Sequence, residues 1–134
     1  MSPYKIPYSK MKNILLVFLG GGLGSITRFL IGKWIQVSKN SFPWPTLLAN
    51  FIGCFLIGFL LGWILKNQTE RSDLYLFAAI GFCGGLTTFS TFSMENLHFL
   101  RSGDLSTFIG YTLLSILGGL LFVGLGHSAV KVFL

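Results

Sequence analysis

Charge is what this sequence has least of. Asp, Glu, Lys and Arg make up 10% of its 134 residues, where an ordinary soluble domain carries about 25%. Acidic residues are scarcest, 4 against 10 basic ones. With hydrophobic residues at 52%, a water-soluble fold would leave large apolar patches exposed, which excludes that class and leaves lipid as the solvent. Cysteine is nearly absent. Cys54 and Cys83 form no C-x-x-C pattern, so they imply no redox compartment, and their expected role is apolar packing. No nucleophile–base pair and no cluster of metal ligands is visible, which argues against an enzyme. No internal repeat supplies two halves of one pore, so a pore built from this chain requires a partner subunit.

Four stretches have almost no charge: Asn13 to Gly32, interrupted by Arg28; Asn40 to Leu65; Leu74 to Met94; and Leu105 to Val130. Crossing a bilayer as a helix takes about 20 apolar residues, and lipid offers no partner to exposed backbone groups. The expectation is an all-α membrane protein with four transmembrane helices per subunit, residues 12–134 forming one domain behind a polar tail over residues 1–11. Helix 1 is expected from Lys12 to Trp34, with Gly20 and Gly24 forming a small face for close packing. Helix 2 opens near Pro45, where proline suits a first turn, ends by Lys66, and carries Gly58 and Gly62 on one face. Helix 3 begins near Leu74 and helix 4 near Leu105. Trp34, Trp44 and Trp63 fall near span ends, as an aromatic belt does. The apolar start resembles a signal peptide, but three further spans follow and Arg28 lies within it.

The net charge of +6 resides in tails and loops, which points to topology signals and lipid headgroups and away from nucleic acid. Lys5, Lys10, Lys12, Lys66, Arg71 and Lys131 fall on one side, and Lys33, Lys39 and Arg101 on the other. That bias favours cytoplasmic termini.

The most unusual stretch is Gly81-Phe82-Cys83-Gly84-Gly85-Leu86-Thr87-Thr88-Phe89-Ser90-Thr91-Phe92-Ser93, midway through helix 3. Paired glycines and β-branched threonines form helix poorly, so a break near the middle is expected there. Broken membrane helices expose carbonyls to cations and N–H groups to anions. Small residues that merely pack against neighbours explain the spacing equally well. Phe89 and Phe92 add a chemical argument. A ring edge is electropositive, and the hydroxyls of Ser90, Thr91 and Ser93 donate hydrogen bonds. Together they could replace the water of a small hard anion without holding it as an arginine would, and a conducting site must let go; taken alone, two phenylalanines on a membrane helix more often face lipid or a neighbour.

Elsewhere Asn50 offers an amide within helix 2, either as a tie between helices or as a pore donor. Tyr111 and Ser115 share a face of helix 4. Arg28 is a functional candidate by default or a snorkelling side chain. Glu95, Asn96 and His98 are read as marking the water boundary, and His127 carries no partner signal.

These blocks resemble the CrcB/Fluc family of fluoride channels. Gly21-Gly22-Leu23-Gly24-Ser25 with Arg28 is similar to G-G-x-G-A-x-x-R. Residues Pro45 to Phe55 are similar to G-T-L-x-V-N-x-x-G-S-F, with Pro45, Ala49 and Cys54 departing from it. Gly81 to Glu95 matches G-F-C-G-G-x-T-T-F-S-T-F-S-x-E, and Tyr111 with Ser115 is a weaker match. The resemblance implies a cell-membrane, multi-pass fluoride channel that exports fluoride passively and so reduces its toxicity. It implies an antiparallel dimer, either of identical chains or with a paired homologous subunit. It implies a fluoride pathway of Asn50, Phe89, Ser90, Thr91, Phe92, Ser93, Tyr111 and Ser115, with Arg28 in the vestibule. It further implies a structural sodium ion at the dimer centre on the backbone carbonyls of Gly84 and Thr87. The main rival is a four-helix drug/proton antiporter. That mechanism needs an acid deep in a span, and helix 1 has none.

Overall fold

The computed structural model describes residues 10–67 and 72–134. Residues 1–9 of the expected tail, with Lys5, and also Arg71, lie outside the described residues. Lys10 and Met11 already belong to the first helix. Helix α1 spans Lys10–Trp34 and α2 spans Trp44–Asn67. The third span is in two pieces. Its first half, α3 (residues 72–86), starts as an α-turn at Ser72–Leu74, widens to a π-helix over Tyr75–Cys83 and tightens again over Gly84–Leu86. Its second half is α4, Phe89–Ser102, and α5 runs over Leu105–Phe133. Every regular element among the described residues is helical, and four spans are long and apolar enough to cross a membrane.

The helices pair through glycine. α1 lies along α3, and α2 along α5. A Cβ on Gly20 would strike the carbonyl of Phe77, and one on Gly24 would strike that of Phe82 and stand 2.8 Å from the Leu86 nitrogen. Gly58 and Gly126 make the same backbone-to-backbone seat between α2 and α5, against Val123 and Phe55. Without a hydrophobic drive between helices in lipid, such close approach supplies the association. Gly24→Ala is therefore expected to lower the thermal unfolding midpoint in detergent, at a cost of about 1–3 kcal/mol for forcing the two backbones apart. Gly22→Ala, whose Cβ would meet nothing within 4 Å, is the control and is expected to leave the midpoint unchanged. The outward faces carry large apolar side chains such as Phe18, Phe29, Leu117 and Leu120, as lipid contact requires.

Both ends of the bundle are tied. At one end Lys12 Nζ lies 2.6 Å from Asp73 Oδ2, joining the starts of α1 and α3. At the other, His98 Nε2 is 3.3 Å from Asn40 Oδ1, linking α4 to the α1–α2 loop. α4 ends on Gly103, whose φ of 78° suits glycine. Asp104 then caps α5 by accepting from Thr107 N–H at 3.1 Å, and the bonds to Thr107 hold its carboxyl below the usual carboxylate range.

Candidate functional site

The interruption falls on Thr87 and Thr88, and the paired glycines before them stay helical: Gly84 has φ −63° and ψ −38°. Thr87 (φ −80°, ψ 155°) and Thr88 (φ −149°, ψ 120°) are both extended, a conformation that β-branched residues favour. A helix breaks where its backbone groups find other partners, and here the threonines have them. Thr87 turns back on α3, its N–H and hydroxyl both donating to Cys83 O at 3.0 and 2.8 Å. Thr88 N–H donates to Asn50 Oδ1 at 2.7 Å, and Asn50 Nδ2 donates to Thr88 O at 3.3 Å. One asparagine thus satisfies both polar groups of the stretched residue, which lipid could not do. Thr88 Oγ1 then accepts from Thr91 N–H at 3.2 Å and starts α4 as its N-cap. The same hydroxyl lies 3.1 Å from Thr91 Oγ1 and 3.3 Å from Ser90 Oγ.

These captures free two carbonyls. Asn50 takes the Thr88 N–H that Gly84 O would receive in a continuous helix, and Thr88 Oγ1 takes the Thr91 N–H that Thr87 O would receive. A Cβ on Gly84 would meet nothing within 4 Å, so this side of the break faces open space. Unpaired carbonyl oxygens are hard donors suited to sodium, and the residues fit such an ion.

Around the break lies a groove of about 560 Å³, lined in part by Asn50, Gly84, Thr87, Phe89, Phe92 and Ser115. Phe89 is 79% exposed, and its ring lies 5.8 Å from that of Phe92. The Ser115 hydroxyl is buried without a protein partner. Across Thr88 is a second cavity of about 360 Å³, bounded by Ser25, Arg28, Thr46, Thr88 and Thr91. Arg28 lines this cavity, and its Nε is buried without a protein partner. Ser93 faces a third hollow with Asn96 and Thr112, and Ser90 is exposed beside Thr88. Of the residues singled out in the sequence, the groove gathers six, the cavity takes Arg28 and Thr91, and Ser93 stands apart.

Glu95 corrects the sequence reading. The third span continues as helix to Ser102, and Glu95 is bonded within the bundle, a role the sequence reading did not give it. Its Oε1 accepts from Thr46 Oγ1 and its Oε2 from Tyr111 OH, both at 2.7 Å. Asn96 beside it is buried. Tyr111 is fully buried, with the rings of Phe92 at 5.1 Å and Phe42 at 5.4 Å. Its hydroxyl is committed to Glu95 and does not open into the groove. Sequence reasoning gave Thr46 and Thr88 no role. The one local signal was for Thr88, a hydroxyl residue at the start of a helical run. Glu95→Leu is expected to strand two buried hydroxyls, at about 1–3 kcal/mol each, while Glu95→Gln retains an acceptor. Thermal unfolding in detergent should rank wild type above Glu95→Gln and that above Glu95→Leu.

A family model described as "CrcB-like protein, Camphor Resistance (CrcB)" matches residues 15–127. The chain is 40% identical to a "Fluoride-specific ion channel FluC" of Azobacteroides pseudotrichonymphae genomovar. CFP2, over 92% of this chain and 99% of that protein. It is 45% identical to one of the same name from Gloeothece citriformis, over 90% and 98%. A third, from Leptospira interrogans, is 42% identical over 91% and 97%.

Proposed function

The chain belongs to the CrcB family, and from that membership we propose that it is a fluoride-specific ion channel in the cell membrane, letting fluoride leave the cytoplasm passively. The observation that carries the chemistry is the break at Thr87–Thr88, with Phe89 and Phe92 on its far side and a groove at membrane depth. Fluoride is small, hard and strongly hydrated, so its water must be replaced. The Phe89 and Phe92 ring edges, the Asn50 amide and the hydroxyls of Ser90, Thr91 and Ser115 offer neutral donors that bind without trapping; Ser93, in its separate hollow, would serve only where the path continues past Phe92. Arg28 at the second cavity attracts the anion by charge. Tyr111 OH can join the path only if Glu95 turns aside, since the two are bonded here.

One subunit leaves the groove open on its flank, with Phe89 and Gly84 turned outward. An antiparallel second subunit, the same chain or a paired homologue, would close it. The carbonyls of Gly84 and Thr87 from both subunits would then hold a structural sodium ion, which offsets their converging dipoles.

The test is purified protein in liposomes with a fluoride electrode. Fluoride efflux driven by its own gradient, without chloride efflux, is the expected result; an intact fluoride gradient overturns the proposal. Glu95 supplies the in-span acid that a drug/proton antiporter needs. That alternative requires efflux to depend on an opposing proton gradient, and the same assay at equal pH inside and out excludes or supports it.

A further inference from the structure

The mechanism above leaves two nucleophilic side chains unused, and both stand in the groove. Cys54 and Cys83 are free thiols and line the same 560 Å³ space. Cys54 is one helical turn beyond Asn50 on α2, and Cys83 one turn before Thr87 on α3, so each shares a face with a residue of the break. The two turns lie side by side: Asn50 pairs with Thr88, a Cβ on Gly53 would strike the Thr87 methyl group, and that same Cβ would stand 3.9 Å from Cys83 O.

We propose that Cys54 and Cys83 together form a site for a soft, two-coordinate metal ion of the copper(I) or silver(I) class, and that an ion held there obstructs the groove. Thiolate sulfur is a soft ligand and selects soft cations. Zinc requires about four ligands, and no group of three or more His, Cys, Asp or Glu residues suited to a metal occurs among the described residues. Two thiols lining one groove match the smaller demand of a linear ion. Each thiol releases its proton to solvent as its sulfur–metal bond forms, with no change of oxidation state. The bis-thiolate complex carries one net negative charge and lies beside Asn50, Thr88 and Phe89, where it repels an incoming anion.

The obstruction rests on the channel reading, so the test has two readouts. Silver nitrate in chloride-free buffer is the probe. By elemental analysis, desalted wild-type protein should retain one silver ion per chain, and the Cys54→Ser, Cys83→Ser and doubly substituted chains should retain little. In liposomes, silver should suppress wild-type fluoride efflux. Each single substitution should weaken that suppression roughly a hundredfold, the scale on which two joined binding groups exceed either alone. Each variant is compared with its own untreated rate. Full silver sensitivity in either single variant would reduce the pair to a lone thiol and overturn the proposal. So would inhibition of the doubly substituted chain, or silver retained with efflux unchanged. Protein that binds silver but conducts no fluoride even before treatment would instead refute the channel reading and leave the metal site standing.

Discussion

Asn50→Leu is expected to abolish fluoride efflux and to lower the thermal unfolding midpoint more than any other single substitution in the second span. The amide bonds both polar backbone groups of Thr88, and leucine offers neither donor nor acceptor. Each buried group left unpaired costs about 1–3 kcal/mol. Asn50→Asp separates the two roles. It keeps an acceptor for Thr88 N–H, so the break should survive, but it removes the donor and adds negative charge beside the groove. Efflux should fall with the fold retained. Wild-type efflux and an unchanged midpoint in Asn50→Leu would show that Thr88 does not depend on this side chain.

The second large effect is on conduction. Phe89→Ile and Phe92→Ile retain apolar bulk and remove the electropositive ring edge. A lost interaction of about 1.4 kcal/mol at the barrier slows passage about tenfold, and each substitution should reduce efflux at least that far. Phe89 is the cleaner probe. Its side chain is mostly exposed in the subunit, so its replacement should leave unfolding of the subunit unchanged. Phe92 packs against Tyr111, and its loss should cost some stability as well. Efflux at the wild-type rate in both variants would remove the rings from the ion path.

Much of this was legible in one dimension. Span number, the start of α2 beside Pro45, the start of α5 at Leu105 and the close-packing faces at Gly20, Gly24, Gly58 and Gly62 follow from local composition. The interruption of the third span was also legible, but its place was not. Gly84 and Gly85 are the poorest helix formers in the segment, yet they remain helical because α1 packs there: a Cβ on Gly85 would strike the Gly21 carbonyl. The threonines break instead because Asn50 and the Thr88 hydroxyl capture their backbone.

Glu95 shows the same limit. Read along the chain, an acid after an uncharged run looks like the edge of the membrane. In the fold it is a shared acceptor for Thr46, 49 residues away, and Tyr111, 16 residues away. The sequence by itself determined the solvent and the number of crossings, because these depend on composition and on runs of neighbouring residues. Only the tertiary structure decided where the third helix opens, which carbonyls are freed and which partners Asn50 and Glu95 take. Hydrogen-bond partners are chosen by distance in space, and helices that meet through glycine bring together groups the chain keeps far apart.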